Sequence, residues 1–297
     1  MSKNILGFYQ NGNYMVTILE DGTKIRASED NDFIPSFAEN CDVKITDYCD
    51  GGCEFCYEGC STKGKHGNIL NAKFLDTLHP YTELAINGND LSHPDLIPFL
   101  EKLKEKKIIT NMTVNQKHFI KNYDFIKKLT ADNLIYGVGV SLVNPTDDFI
   151  DKIKVVDNAV IHVINGIFSE DDAVKLQGNN LKLLVLGYKH LNRGISFYDN
   201  NHKIISQRQK WMYDNIDNLG KGFKIISYDN LAVEQLDMKR FFSEERWEKY
   251  YMGDEGTVTF YIDLVKNQFS KNSISQKRYE LLDSIDDMFS VIISEKE

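Results

Sequence analysis

Four of the five cysteines lie within fourteen residues, in the stretch DYCDGGCEFCYEGC at 47–60, with Cys41 just upstream and no cysteine beyond residue 60. Cys49, Cys53 and Cys56 are separated by three residues and then two, and Phe55 immediately precedes the last of them. Three thiolates this close on one loop can hold three irons of a four-iron four-sulfur cluster and leave the fourth iron without a protein ligand. An iron left open is a place for chemistry. Gly51 and Gly52 give the backbone the freedom to fold tightly around such a group. Counting Cys60 as a fourth ligand, the same residues could instead hold a structural zinc tetrahedrally, with no catalysis involved. An odd number of clustered cysteines suits metal or cluster ligation in a reducing compartment better than a disulfide framework.

The rest of the chain must position this loop. At 297 residues, 42% hydrophobic and 27% charged, it can bury a sizeable core. No run approaches the roughly eighteen apolar residues of a membrane span. The beginning MSKNILGFYQNGNY lacks an apolar signal segment, which predicts a cytoplasmic protein with no membrane partner. The net charge of −9, from 44 acidic against 35 basic residues, argues against a general phosphate-binding surface, so nucleic acid is not an expected partner.

Three zones follow from the patterning. Residues 1–38 carry the turn signals NGN and DG, the second flanked by the β-rich runs YMVTILE and TKIRAS, which predicts an N-terminal β-hairpin. From 39 to 230, short apolar runs alternate with helix-period segments: DVKIT, LAIN, ITNMTV, LIYGVGVSL, NAVIHVIN and LKLLVLGY, with GFKIISY as a possible seventh. Leu96, Leu100 and Leu103 mark one helix face between two of them. Such alternation predicts a parallel α/β sheet, and six strands are enough for an open barrel but too few for a closed eight-stranded one. Residues 231–297 predict an α+β extension over the barrel, with aromatic-rich helices, a hairpin at GTVTFYIDLVKNQFS and an amphipathic tail helix. The cysteine loop follows the first strand of the sheet, where functional loops of parallel sheets lie.

The pattern C-x3-C-x-aromatic-C, here CDGGCEFC after a strand, resembles the signature of the radical S-adenosylmethionine (radical SAM) superfamily. That resemblance implies a partial (β/α)6 TIM-type barrel and one 4Fe-4S cluster on Cys49, Cys53 and Cys56. It implies S-adenosyl-L-methionine chelated at the open iron and cleaved reductively to a 5′-deoxyadenosyl radical that takes a hydrogen atom from substrate. It also implies a reducing partner such as flavodoxin or ferredoxin, and a small-molecule or peptide substrate. Phe55 would pack near the adenine. Asn87, Gly88 and Asn89 occupy the place of the family's Gly-Gly-Glu-Pro stretch, which contacts the methionine amino group; one glycine and the glutamate are replaced, so backbone carbonyls would carry that contact. Asn115 would face the cofactor, Ser141 the ribose and Ile164 the adenine.

Lys189 or Arg193, after the sixth strand, could pair with the methionine carboxylate or a substrate anion. The basic stretch STKGKHG, with Lys63, Lys65 and His66, reads as a solvated loop beside the cluster, and Cys41 as a small buried hydrophobe. His79, His93, His118, His162 and His202 have no spacing that suggests a metal site. With nothing beyond residue 60 able to ligate iron through sulfur, a single cluster is expected, and residues 1–38 are too few for the winged-helix domain with which peptide-modifying members often begin. A structural zinc or iron-sulfur protein, or a degenerate member that binds S-adenosylmethionine without cleaving it, are the alternative readings.

Overall fold

The computed structural model describes residues 4–30, 32–87, 90–251 and 253–295. At the N-terminus both turn signals form turns, so the expected hairpin is a three-stranded antiparallel meander: β1 (Ile5–Asn11), β2 (Tyr14–Leu19) and β3 (Lys24–Ser28). The alternation of β2 turns Tyr14, Val16 and Ile18 inward, where they pack with Ile109 at the base of the main sheet. Phe8, Met15 and Ile25 stay exposed on the other face.

The six runs read from the sequence become β4 (Asn40–Lys44), β5 (Glu83–Asn87), β6 (Ile109–Asn115), β7 (Gly137–Ser141), β8 (Ala159–Ile164) and β9 (Lys182–Leu186). They pair in parallel and in chain order. The sheet is larger than six strands. β10 (Ile225–Tyr228) adds in parallel beyond β9, and β11 (Thr259–Asp263) adds in parallel on the other flank, beside β4. β12 (Gln268–Ser270) and β13 (Tyr279–Glu280) continue antiparallel, giving the order β10-β9-β8-β7-β6-β5-β4-β11-β12-β13. Among the described residues the two outer strands do not pair, so the sheet is open and no closed barrel forms.

Parallel neighbours in chain order need crossover connections, which helices supply here. They are α1 (Leu96–Glu105), α2 (Gln116–Lys121), α3 (Tyr123–Ala131), α4 (Asp147–Ile153), α5 (Glu170–Leu176) and the thirty-residue α6 (Arg193–Gly222). α7 (Asn230–Gln235), α8 (Glu244–Tyr250) and α9 (Ile285–Ser294) follow β10 and flank the last strands. Side chains with period two divide the strands. Val43, Ile86, Val114, Val140, Val163 and Val185 enter the apolar layer under Leu100, Phe119, Phe149 and Leu176, and Cys41 is buried there with them.

The connection from β4 to β5 has no α-helix of its own. Its length goes to the cysteine loop and a 3-10 turn at Lys73–Thr77 that buries Phe74 and Leu75. α9 fills the vacant place: the Ile285 N–H donates to Thr77 Oγ1 at 2.9 Å, and Phe289 stacks near Phe260 of β11. Among the described residues no helix is long and apolar enough to cross a membrane.

Candidate active site

The cysteine loop is anchored where it leaves β4. The ammonium of Lys44, 3% exposed, pairs with Asp47 at 2.5 Å and Glu58 at 2.8 Å, on either side of the three cysteines. The chain then doubles back: Asp47 N–H donates to the Lys65 carbonyl, Ser61 N–H to the Asp47 carbonyl and Cys49 N–H to the Ser61 carbonyl, at 2.8–3.0 Å. Gly52 takes a φ of +66°, which glycine adopts without steric cost. Gly64 lies so close to the returning strand that a Cβ would sit 2.0 Å from the Asp47 carbonyl oxygen. Gly64→Ala is therefore expected to push residues 61–67 off Asp47, lower the melting temperature and reduce the iron the loop retains after anaerobic reconstitution. Unchanged melting and iron content would show that the loop does not need this close approach.

Cys49, Cys53 and Cys56 are half-buried, whereas Cys60 is buried. The Gly51 N–H donates to Cys49 Sγ and the Asn115 side-chain amide to Cys53 Sγ, both at 3.3 Å. Burial pushes the Cys49 and Cys53 thiols up. Contact with the Cys60 thiol draws the Cys56 thiol below its ordinary value against the opposing effect of burial. Arg193, at the first turn of α6, donates from Nε to the Cys53 carbonyl at 3.1 Å and from Nη2 to the Cys60 carbonyl at 2.9 Å. Lys117 reaches the Gly51 carbonyl at 3.4 Å, His118 pairs with Asp50, and Asn192 donates to the Tyr57 carbonyl at 2.5 Å. The loop is thus tied to the starts of α2 and α6, and cationic groups stand behind its thiols.

Among the described residues no three of the His, Cys, Asp and Glu side chains converge on one metal ion. A four-iron cluster holds its thiolates farther apart than a single tetrahedral ion does. Three half-buried thiols, two of them receiving N–H donors, fit the donor set and outer hydrogen bonds of such a cluster.

The face of the sheet not covered by helices lines a cavity of about 690 Å3, whose walls include Asp42, Asn87, Gly139, His162, Lys189 and Glu255. Asn87 ends β5, and its side-chain oxygen is buried without a partner among the described residues. Gly88 and Asn89 lie outside the described residues. Asn115 ends β6, caps α2 by accepting the Lys117 N–H at 2.9 Å and holds Cys53 through its amide nitrogen. Ser141 sits beside Asn115 in register at the end of β7, and Ile164 ends β8 beside Leu186. Lys189 donates to Ser273 at 3.0 Å and lies 4.2 Å from the Tyr57 ring centroid. Phe55 packs edge-on against Phe197 of α6 at 5.6 Å. Arg193 serves the loop carbonyls, and His66 meets Thr46 and the His93 ring.

Sequence reasoning passed over Asp42, Tyr57 and Glu255. Asp42 carried a signal, since it is a carboxylate at the centre of a strand that pairs on both sides.

With this geometry in view, the chain can be compared with known proteins. No protein-family model matches it, and neither does any curated protein. Among solved structures it is similar to Streptococcus suis SuiB bound to the precursor peptide SuiA, with a TM-score of 0.60 and 14% identity, over 97% of this chain and 88% of that one. SuiB bound to S-adenosylmethionine gives a TM-score of 0.58 at 14% identity, over 94% and 85%. This chain has the SuiB fold. The likeness runs through nearly the whole of both chains, so the SuiB fold takes in the meander and the last strands as well as the parallel sheet.

Proposed function

We propose that the chain is a radical SAM enzyme with a single 4Fe-4S cluster on Cys49, Cys53 and Cys56, built on a partial (β/α)6 barrel that β10 and β11 extend. The observation that carries this reading is the three-thiol loop at the carboxyl end of β4, hydrogen-bonded through sulfur to Gly51 and Asn115, with Tyr57, the residue after Cys56, on the cavity wall. The likeness of fold to SuiB bound to S-adenosylmethionine supports it. When bound, the cluster and S-adenosylmethionine would supply reductive cleavage to a 5′-deoxyadenosyl radical and hydrogen abstraction.

This chain's own residues do the positioning. Arg193 and Lys117 hold the loop carbonyls and offset the charge of the thiolates. Backbone carbonyls at 87–89 would accept the methionine amino group, Lys189 would turn from Ser273 to its carboxylate, and Ser141 and Ile164 would face the ribose and adenine. The walls of the cavity would keep water from a reactive carbon centre. SuiB is bound to a precursor peptide in one of its structures, which favours a peptide substrate over a free small molecule here. A flavodoxin or ferredoxin would supply the electron, in a cytoplasmic setting, and the zones 1–38, 39–230 and 231–297 would act as meander, barrel and cover.

Anaerobic reconstitution followed by dithionite and S-adenosylmethionine tests the proposal. Iron and sulfide in equal amounts, with release of 5′-deoxyadenosine, are the expected results. Zinc in place of iron would overturn the cluster, and S-adenosylmethionine bound without cleavage would overturn the catalytic claim.

A further inference from the structure

We infer that the cavity takes a cationic group on an alkyl stem, an ammonium or guanidinium side chain of the substrate, with Asp42 as its counter-ion. Its assignment to the substrate rests on the radical reading; the binding itself does not. Asp42 stands in the middle of β4, its side chain on the wall of the cavity and open to it. No hydrogen bond or ion pair to its carboxylate is found among the described residues, and Lys189 acts on it only through its field. Its neighbour in register on β5 is Ala85, so there is room beside it for a ligand.

The surrounding groups ask for a donor. The side-chain oxygens of Asn40 and Asn87, also on the cavity wall, are buried and have no partner among the described residues. An unpaired buried acceptor is costly, and a ligand rich in N–H groups relieves several at once. Asp229 and Glu255 add negative charge. Asp229 already caps α7 through the Ala232 N–H, and Glu255 accepts from Asn272. Against these carboxylates the cavity sets Lys189 and, at its far end, Lys182. Should Lys189 turn to the cofactor carboxylate, Asp42 loses the largest positive field that steadies it. Burial, with Glu255, Asp229 and Glu58 adding repulsion, holds the Asp42 carboxyl up at about 6 despite Lys189, a cost that a bound cation would offset.

A metal ion is the poorer occupant, because no three candidate ligands converge among the described residues. Ala85, Val160, Leu184 and Leu186 offer an apolar wall for the stem. A second cavity of about 610 Å3, with Lys239 and Lys271 as well as carboxylates on its wall, shares Glu255 and Asn272 with the first. There Trp247 and Tyr251 stack at 4.5 Å beside Glu234, Asp237 and Asp254.

Equilibrium dialysis of butylammonium, butylguanidinium, butanol and butyrate against the anaerobically purified chain tests this, with 5′-deoxyadenosine release measured in parallel. Saturable binding of one or both cations, little of butanol and none of butyrate is expected. Asp42→Asn should weaken the cation at least about tenfold, as loss of the charged partner does, while Asp42→Glu keeps it within a few-fold. Which cation binds tighter tells an amine from a guanidine. Butanol binding as well as butylammonium, or unchanged cation affinity in a folded Asp42→Asn variant, would overturn the inference, as would magnesium displacing the cations at equal concentration. Absence of 5′-deoxyadenosine with cation binding intact would instead remove the radical reading and leave a cation-binding cavity.

Discussion

Replacing Cys49, Cys53 or Cys56 by alanine is expected to remove most of the bound iron and all S-adenosylmethionine cleavage. In the proposed cluster each of the three would supply one thiolate to an iron with no other protein ligand, and an under-ligated cluster does not survive isolation. The loop itself should persist in these variants, because Lys44 with Asp47 and Glu58, Arg193 with the Cys53 and Cys60 carbonyls, and the 47–65 backbone pairing do not involve the thiols. Melting temperature should therefore stay near that of the apo wild type while iron and sulfide per chain collapse. Cys41→Ala and Cys60→Ala make the contrast. Cys41 is packed in the apolar layer away from the loop, so its loss costs a small cavity and no iron. Cys60 lends its thiol to Cys56 and keeps the latter's proton labile, so Cys60→Ala should retain the cluster but assemble it less readily at low pH. Full iron in any of the first three variants, or its loss in Cys41→Ala, would end the assignment.

What could be read beforehand follows from where information sits in a chain. Buried parallel strands are short runs rich in apolar residues, and most of the runs that became β4 to β9 are of that kind; the helix face of Leu96, Leu100 and Leu103 was equally local. The cysteine spacing is local too. β11 and β12 form the hairpin read at GTVTFYIDLVKNQFS, but the place of β11 in the main sheet was hidden, because its parallel partner, β4, lies more than two hundred residues earlier and no pattern within Thr259–Asp263 says which strand it will join. β1 was missed because only the second turn signal stood between two obvious β-runs. Arg193 looks like any cation at a helix start; its role depends on carbonyl groups at Cys53 and Cys60, which every residue possesses and no sequence marks. Asp42 and Glu255 meet at one cavity only through the fold.

The meander also closes the far end of that cavity, where Leu6, Ile18 and Thr23 form part of the wall, and one carboxylate holds it there. Glu39 is 0% exposed. It accepts from Arg26 Nε at 2.8 Å and Nη2 at 2.5 Å and from the Tyr14 hydroxyl at 2.7 Å, with the Lys24 ammonium 3.6 Å away and bridging on to Glu83 at 2.7 Å. Glu39→Ala leaves a guanidinium, an ammonium and a phenol facing a hole without their common acceptor, and removing one partner of such a buried pair costs about 3–5 kcal/mol. Glu39→Gln keeps the shape and one acceptor and should cost less. Burial raises the Glu39 carboxyl, but the Arg26 hydrogen bonds and the Lys24 and Arg26 charges outweigh it and hold the folded-state value below the ordinary one. A depressed folded value means that the unfolded chain binds the proton more readily, so stability rises with pH across the interval between the two values. The contribution of Glu39 is whole above about pH 4.3, the ordinary glutamate value, and is lost as pH falls through the folded one. Urea titrations at neutral and acid pH should give a wild type that loses stability through that interval and a Glu39→Ala chain, already weakened at pH 7, whose loss there is smaller. A variant within about 1 kcal/mol of wild type at pH 7 would mean that the meander is held by its apolar face alone, through Tyr14, Val16 and Ile18 against Ile109.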